Sequence, residues 1–428
     1  MTAPQETPDA TCVVPLLDMD WAAVRPPDID SLTTHDGWLA FLGRERMTRP
    51  VELTRAQYEA LTRPERRYHD IVRGAWHANL PKLETAMAAT VRDELDMTLQ
   101  VNLMKRDSGV RRGVIVSANS GHGKTTLILE ILADHQDLIA DLYKRSNSRP
   151  RIRDRHIPVV AVTCPGRATI SKLCHRILDF YGMPYRRGGS ADTEGVLADK
   201  VRRCLDACGT KVLFIDEISR LNMKREDAQI TFDFIRDLQN SSATLVLAGV
   251  DIESTGLLTE GLYLKEDGDL KTQTEARFTR LPLPAFTYDT TPGIQAWVNH
   301  LHGIEQQIML LDKRDGMLSD DLAEWLFDHT DQGVIGSLAF LIEQGCARAI
   351  QRGRRTGVEV LDAELLETVA LDWAAEKRVR AAAEAEARGE KPGQDTARAA
   401  RAARKPLPPR NRGSRRRTDA VYAGTRTR

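Results

Sequence analysis

The chain has 428 residues, 29% of them charged and 5% aromatic, and its 61 Lys and Arg balance 61 Asp and Glu. That composition suits two or three soluble, helix-rich domains, and the lack of an apolar run near ~18 residues argues against a membrane-spanning helix. Six cysteines, at 12, 164, 174, 204, 208 and 346, make no C-x-x-C pair, which fits a reduced, cytoplasmic protein without a paired-cysteine zinc site.

Residues 1–50 scatter Pro, Asp and Thr and are expected to be an irregular N-terminal segment, with no basic-then-apolar leader at Met1. A helical region, 51–109, follows, with its pattern running in breaks from Arg55 to Leu103. A nucleotide-binding core is expected over 110–285. Five apolar stretches there read as strands: Gly113–Ser117, Ile157–Thr163, Lys211–Ile215, Thr244–Ala248 and Arg280–Leu283. Helical patterns separate them. Ile170, Leu173, Cys174, Ile177, Leu178 and Tyr181 share one face, and so do Ile230, Phe234 and Leu238. Strands alternating with helices predict an α/β fold, a parallel sheet covered on both faces in three layers. After Pro284 the pattern turns all-helical, with Ile294–Met309, Asp320–Asp328 and Gly336–Ile350 as helices of a small lid domain, 286–373. Cys174 and Cys346 fall on apolar helical faces and read as core. Cys204 and Cys208 read as core in preference to a metal pair.

The neutral total hides an asymmetry. From Lys391 to Arg428 there are 12 Lys/Arg and 2 Asp/Glu, leaving the rest of the chain net acidic. The segment 374–428 therefore reads as a basic, largely disordered tail, preceded by an Ala/Glu/Arg-rich helical stretch near 374–390. A second basic run, Lys144–Arg155, lies between the first core helix and the second strand. Each is either a phosphate-contacting arm or a solvated charge run.

The chemistry concentrates in two segments. Ala118-Asn119-Ser120-Gly121-His122-Gly123-Lys124-Thr125-Thr126 links an apolar strand to a helix, the arrangement in which backbone N–H groups and a helix N-terminus hold phosphate. Residues Ser120 to Thr126 form the expected ATP cradle, with Lys124 on the β/γ-phosphates and the Thr125 hydroxyl on Mg²⁺. Ala118 stands where the pattern has its first Gly. About 90 residues on, the strand Val212-Leu213-Phe214-Ile215 delivers Asp216 and Glu217 to the same sheet edge. Asp216 is expected to share the Mg²⁺ with Thr125, and Glu217 to activate the attacking water. Arg277, just before the last strand, either reaches the γ-phosphate of a neighbouring subunit or makes an ion pair within its own chain, for instance with Glu275; Arg280 is the other choice for a trans arginine. Asp251, after the fourth strand, is a substitute for the usual Asn or Thr sensor, or a helix cap. No Arg opens the Gly336 helix, and the first Arg along it is Arg348.

This combination resembles the AAA+ ATPases, and within them the TniB/TnsC family of transposition regulators. The matching stretches are Ser120–Thr126, Ile157–Val160 with Cys164-Pro165, Ile177-Leu178 with Gly182-Met183-Pro184, Leu213–Ile218, Phe234–Asn240, Ala276-Arg277-Phe278 and Gly333–Leu338, over roughly 55–350. Ala118, Ile218-Ser219 where a His often follows the acids, and an insertion at Gly261–Leu270 depart from the pattern. Membership implies an ATP-dependent homo-oligomer on double-stranded DNA that recruits a DDE-type transposase, cytoplasmic and nucleoid-associated, with no membrane partner. Another DNA-handling AAA+ protein such as a helicase loader, and a nucleotide-gated signalling or defence switch without DNA, remain alternatives.

Overall fold

The computed structural model describes residues 32–107, 109–145, 155–166, 169–186, 192–221, 228–252 and 277–369, with the backbone alone for 228–233. The basic tail, the helical stretch at 374–390, the middle of the basic run, the insertion at 261–270 and Cys12 lie outside the described residues.

The five expected strands are present: β1 (Gly113–Ser117), β2 (Val159–Thr163), β3 (Val212–Asp216), β4 (Thr244–Gly249) and β5 (Phe278–Pro282). They form one parallel sheet in the order β2-β3-β4-β1-β5. β2 starts two residues later than the apolar run suggests. Pro158 has no N–H to give a ladder, and its carbonyl instead takes the amides of Lys211 and Val212. β1, β3 and β4 are buried almost throughout, as a sheet covered on both faces requires.

Around the sheet lie α5 (Lys124–Arg145), α6 (Ile170–Tyr181), α7 (Glu194–Ala207) and α8 (Ala228–Gln239). α6 buries Ile170, Leu173, Cys174, Ile177 and Leu178, the face that its spacing predicts, and stops at Gly182, whose φ of 68° closes the helix. Cys164, Cys174, Cys204, Cys208 and Cys346 are all buried, and the described residues hold no metal-binding cluster. No helix among the described residues is long and apolar enough to cross a membrane.

Behind the sheet a second apolar core forms around Trp297, Leu301, Leu326, Phe327, Leu338 and Ile342. It belongs to the lid helices α9 (Thr291–Gln307), α10 (Ala323–His329), α11 (Ile335–Thr356) and α12 (Ala363–Glu367). α11 runs six residues past the expected Ile350, to a stop at Gly357 with φ 74°. The structure is a helix-flanked parallel-sheet core followed by an all-α lid.

Four helices precede β1: α1 (His35–Leu42), α2 (Arg55–Ala60), α3 (Arg63–Ala78) and α4 (Ala86–Met104). The first corrects the expectation that residues up to 50 are irregular. α1 is short, but Thr34 caps it and Trp38 is fully buried against the sheet's core, with its Nε1 facing Gln136 Oε1 at 3.4 Å. α4 also packs on the sheet side, against α5 and β5, whereas α3 packs on the lid helix α11. The chain therefore visits the sheet, then the lid, then the sheet again before β1 begins.

Candidate nucleotide-binding site

β1 ends at Ser117, and residues 118–123 turn into α5. Gly121 and Gly123 carry φ of 80° and 79°, a left-handed backbone that glycine adopts without strain. Ala118 has an ordinary backbone, is nearly buried, and donates its amide to Gly249 O at 3.3 Å. Nothing at that position needs a glycine, so the departure from the motif leaves the turn intact. His122 and Lys124 are buried, Thr125 and Thr126 are half-buried, and Ser120 is exposed.

Thr125 and Asp216 meet directly: the Thr125 hydroxyl donates to Asp216 Oδ2 at 2.7 Å. Burial pushes the Asp216 carboxyl up, while the Thr125 hydroxyl and the Glu217 amide, 2.8 Å from Oδ1, pull it down. A divalent cation beside this carboxylate would supply the charge that burial withholds. Lys124 Nζ lies 3.7 Å from Glu217 Oε1. Glu217 adopts φ 54° and ψ 37°. That conformation costs a residue with a Cβ about 1–2 kcal/mol, and it is characteristic of strained functional turns.

The donor set fits Mg-ATP on several counts. The loop has a left-handed glycine that also packs closely under the lid, where a Cβ on Gly121 would stand 2.8 Å from Val334 Cγ1. A hydroxyl and a carboxylate at 2.7 Å are hard oxygen ligands. His122 Nδ1, in the loop itself, is buried with no hydrogen-bond partner among the described residues.

The lid reaches this loop through its backbone. The Gly336 amide, in the first turn of α11, donates to Gly121 O at 2.8 Å, and a Cβ on Gly336 would come within 3.0 Å of that oxygen. No Arg opens this helix, and the contact with the loop is made by a glycine amide. Arg348 lies 12 residues further along, roughly 18 Å of helix, and hydrogen-bonds Thr368 instead. Asp251 is exposed, with φ 45°, just beyond β4.

Arg277 is not brought into this cluster. Its carbonyl accepts from the Gly113 amide at 2.9 Å, so it stands level with the first residue of β1. The phosphate loop leaves β1 at the other end, roughly 15 Å along the strand, farther than an arginine side chain spans. Arg277 Nη1 is buried without a hydrogen-bond partner among the described residues. Glu275 lies outside the described residues. Arg280 sits exposed in the middle of the edge strand β5.

One charged neighbour escaped the sequence reading. Arg220 ends the 3-10 turn Ile218–Arg220, its Nε lies 3.7 Å from Glu217 Oε2, and its Nη1 faces the Cys164 carbonyl at 3.5 Å. Its place three residues after Glu217 was the available signal. Cys164 itself is buried, which pushes its thiol up to about 12 and leaves it no nucleophilic role.

The chain is similar in architecture to Orc1 of Aeropyrum pernix in complex with DNA, at 14% identity and a TM-score of 0.47, over 73% of this chain and 72% of that one. It is similar to Cdc6p of Pyrobaculum aerophilum at 15% identity and a TM-score of 0.42, over 74% and 79%. A RuvB variant of Thermotoga maritima matches at 17% identity and a TM-score of 0.37, over 71% and 82%. No curated protein matches the chain significantly. The family described as "Bacterial TniB protein" matches residues 83–288, which run from the start of α4 through the cradle, the Asp216-Glu217 strand and Arg277 to the end of β5 and just beyond. Over these residues the chain is similar to the TniB family.

Proposed function

We propose that the protein is an ATPase that assembles on double-stranded DNA in its ATP form and recruits a DDE-type transposase to that DNA. The observation that carries the ATPase reading is the Thr125–Asp216 pair at 2.7 Å, with Lys124 and Glu217 beside it. In this reading Ser120 to Thr126 cradle the phosphates, Lys124 neutralises the β/γ oxygens, and Thr125 and Asp216 hold Mg²⁺. The metal supplies charge against the phosphate oxygens. Glu217 orients the water. As the water oxygen bonds to the γ-phosphorus, the bond to the β–γ bridging oxygen breaks with its electron pair going to ADP. The water's proton passes to the Glu217 carboxylate, and phosphate leaves.

Arg277 is assigned to the site of a neighbouring subunit. Support comes from its position at the opposite end of β1 from its own loop and from its buried Nη1, unpartnered among the described residues. Active assemblies are then homo-oligomers. The DNA and transposase roles rest on the similarity of residues 83–288 to the TniB family, with the basic run and the basic tail as the phosphate-contacting segments. The protein would act in the cytoplasm, on nucleoid DNA.

The test is binding to a random duplex with ATP, ADP and a non-hydrolysable ATP analogue, over a salt series. Binding that needs ATP or its analogue, and weakens steeply with salt, is the expected result. Nucleotide-dependent assembly with no DNA binding in any state would overturn the DNA role and leave a nucleotide switch.

A further inference from the structure

Glu217 holds its two carboxylate oxygens against two different cations. Oε1 lies 3.7 Å from Lys124 Nζ and Oε2 lies 3.7 Å from Arg220 Nε. Both separations exceed a hydrogen bond, so these are charge neighbours that a stronger partner can draw away. The two cations differ in what else claims them. Lys124 is buried in the phosphate loop, and the proposed γ-phosphate is its natural partner. Arg220 is tied to the acid's own turn: its amide donates to Glu217 O at 2.9 Å, and its guanidinium leans on the Cys164 carbonyl. Cys164 is in turn fixed by its amide, which donates to Asp216 O at 2.8 Å. Arg220 is thus built onto the strand ends that carry both acids, while Lys124 is built onto the loop.

We propose that Arg220 is a positioning residue for Glu217, pinning the Oε2 side of the carboxylate so that Oε1, once phosphate claims Lys124, faces the attacking water. The inference rests on the ATPase reading. Arg220 touches neither nucleotide nor water in this role; it limits the rotation of the acid that does. An arginine suits the task because its planar fork spans a carboxylate and a carbonyl at once, which a lysine ammonium does less well.

The test compares Arg220→Ala and Arg220→Lys with the intact protein, Glu217→Gln and Lys124→Ala. Three quantities are read: equilibrium binding of a fluorescent ATP analogue, capture of ADP with aluminium fluoride and Mg²⁺ as a transition-state mimic, and the kcat and KM of hydrolysis. Arg220→Ala should bind the analogue within about twofold of the intact protein, yet capture the mimic about tenfold more weakly and lose about tenfold in kcat at unchanged KM. Arg220→Lys should recover part of both losses. Added to Glu217→Gln, Arg220→Ala should lower kcat no further, because the two act as one unit. Intact capture and kcat in Arg220→Ala would overturn the proposal, as would a loss of analogue affinity that accounts for the fall, or a full further loss on top of Glu217→Gln. If the intact protein and Lys124→Ala bind the analogue equally poorly, the ATPase reading fails first, and that result is separate from the others.

Discussion

Two clusters in this molecule hold the same formal charges and use them differently. On the lid side, Arg73 and Arg354 face Asp70 and Glu359; at the nucleotide site, Lys124 and Arg220 face Asp216 and Glu217. The first cluster is closed. Arg73 is 1% exposed, with contacts of 2.6 Å to both Asp70 and Glu359 and a further bond to Met309 O. Asp70 also takes the Tyr58 hydroxyl and Arg354 Nε, and Glu359 takes the Leu311 amide. Burial and the Asp70 charge together push the Tyr58 phenol up to about 12. The second cluster is slack. Its cations stand 3.7 Å from Glu217, and Asp216 shares its oxygens only with a hydroxyl and an amide. Short paired contacts fix α3 to the lid, with only Nε of the Arg73 guanidinium lacking a partner among the described residues; unsaturated charge at the nucleotide site leaves valences for a phosphate and a metal.

Arg277 belongs with the unsaturated group. Among the described residues it makes no ion pair, and its Nη1 is buried without a partner. If its partner is a neighbour's γ-phosphate, Arg277→Ala should keep nucleotide binding and lose hydrolysis by about 10³-fold or more. Mixed with Glu217→Gln subunits, which keep Arg277 but cannot turn over, it should regain measurable ATPase activity. Mixtures that stay as inactive as either variant alone, while co-assembling on a sizing column, would return Arg277 to a structural role within its own chain.

The closed cluster should fail in stability. Arg73→Ala leaves Asp70 and Glu359 buried with fewer cations and should cost about 3–5 kcal/mol in urea unfolding. Arg220→Ala, at a half-exposed pair, should cost no more than about 1 kcal/mol in the same measurement. Equal losses for the two would erase the contrast between a structural and a functional charge cluster.

The contrast also explains what could be read from the sequence. The loop and the two acids were legible because each is local: left-handed glycines beside Lys124-Thr125, and an apolar strand ending in Asp216-Glu217. The sheet was legible because its buried strands are continuous apolar runs. Arg73 was not, since Glu359 lies 286 positions away and no local pattern ties them. α1 was missed for a related reason: eight residues make a weak helical signal, and its stability comes from seating Trp38 on the sheet's core. Arg220 lay in plain view, but its link to Glu217 depends on a left-handed backbone at the acid, which sequence does not announce. At the lid no cationic side chain opens the helix, and the contact is the Gly336 amide, whose only sequence signal is the smallness of the residue.

A pH slope also originates beside the closed cluster. His77 is 3% exposed, and its Nε2 accepts the Met309 amide at 2.9 Å, so the ring is neutral with its proton on Nδ1. Burial, then repulsion from Arg73, pushes its pKa down to about 3. Unfolding returns it to about 6.5. Between those values the unfolded chain binds the extra proton, so His77 contributes stability that is present above pH 6.5 and is lost as pH falls toward 3. The slope is at most about 1.4 kcal/mol per pH unit for one group. His300, pushed down by burial to about 4, adds to it in the same direction. His77→Gln places an amide oxygen near the Nε2 position and removes the titration. Its unfolding free energy should match that of the intact protein near pH 7.5, and from pH 6 to pH 4 it should fall less steeply. Parallel slopes in the two proteins would mean that the ring is already charged in the fold, with a cation facing both Arg73 and the Met309 amide, and the neutral junction drawn here between α3 and the lid would be wrong.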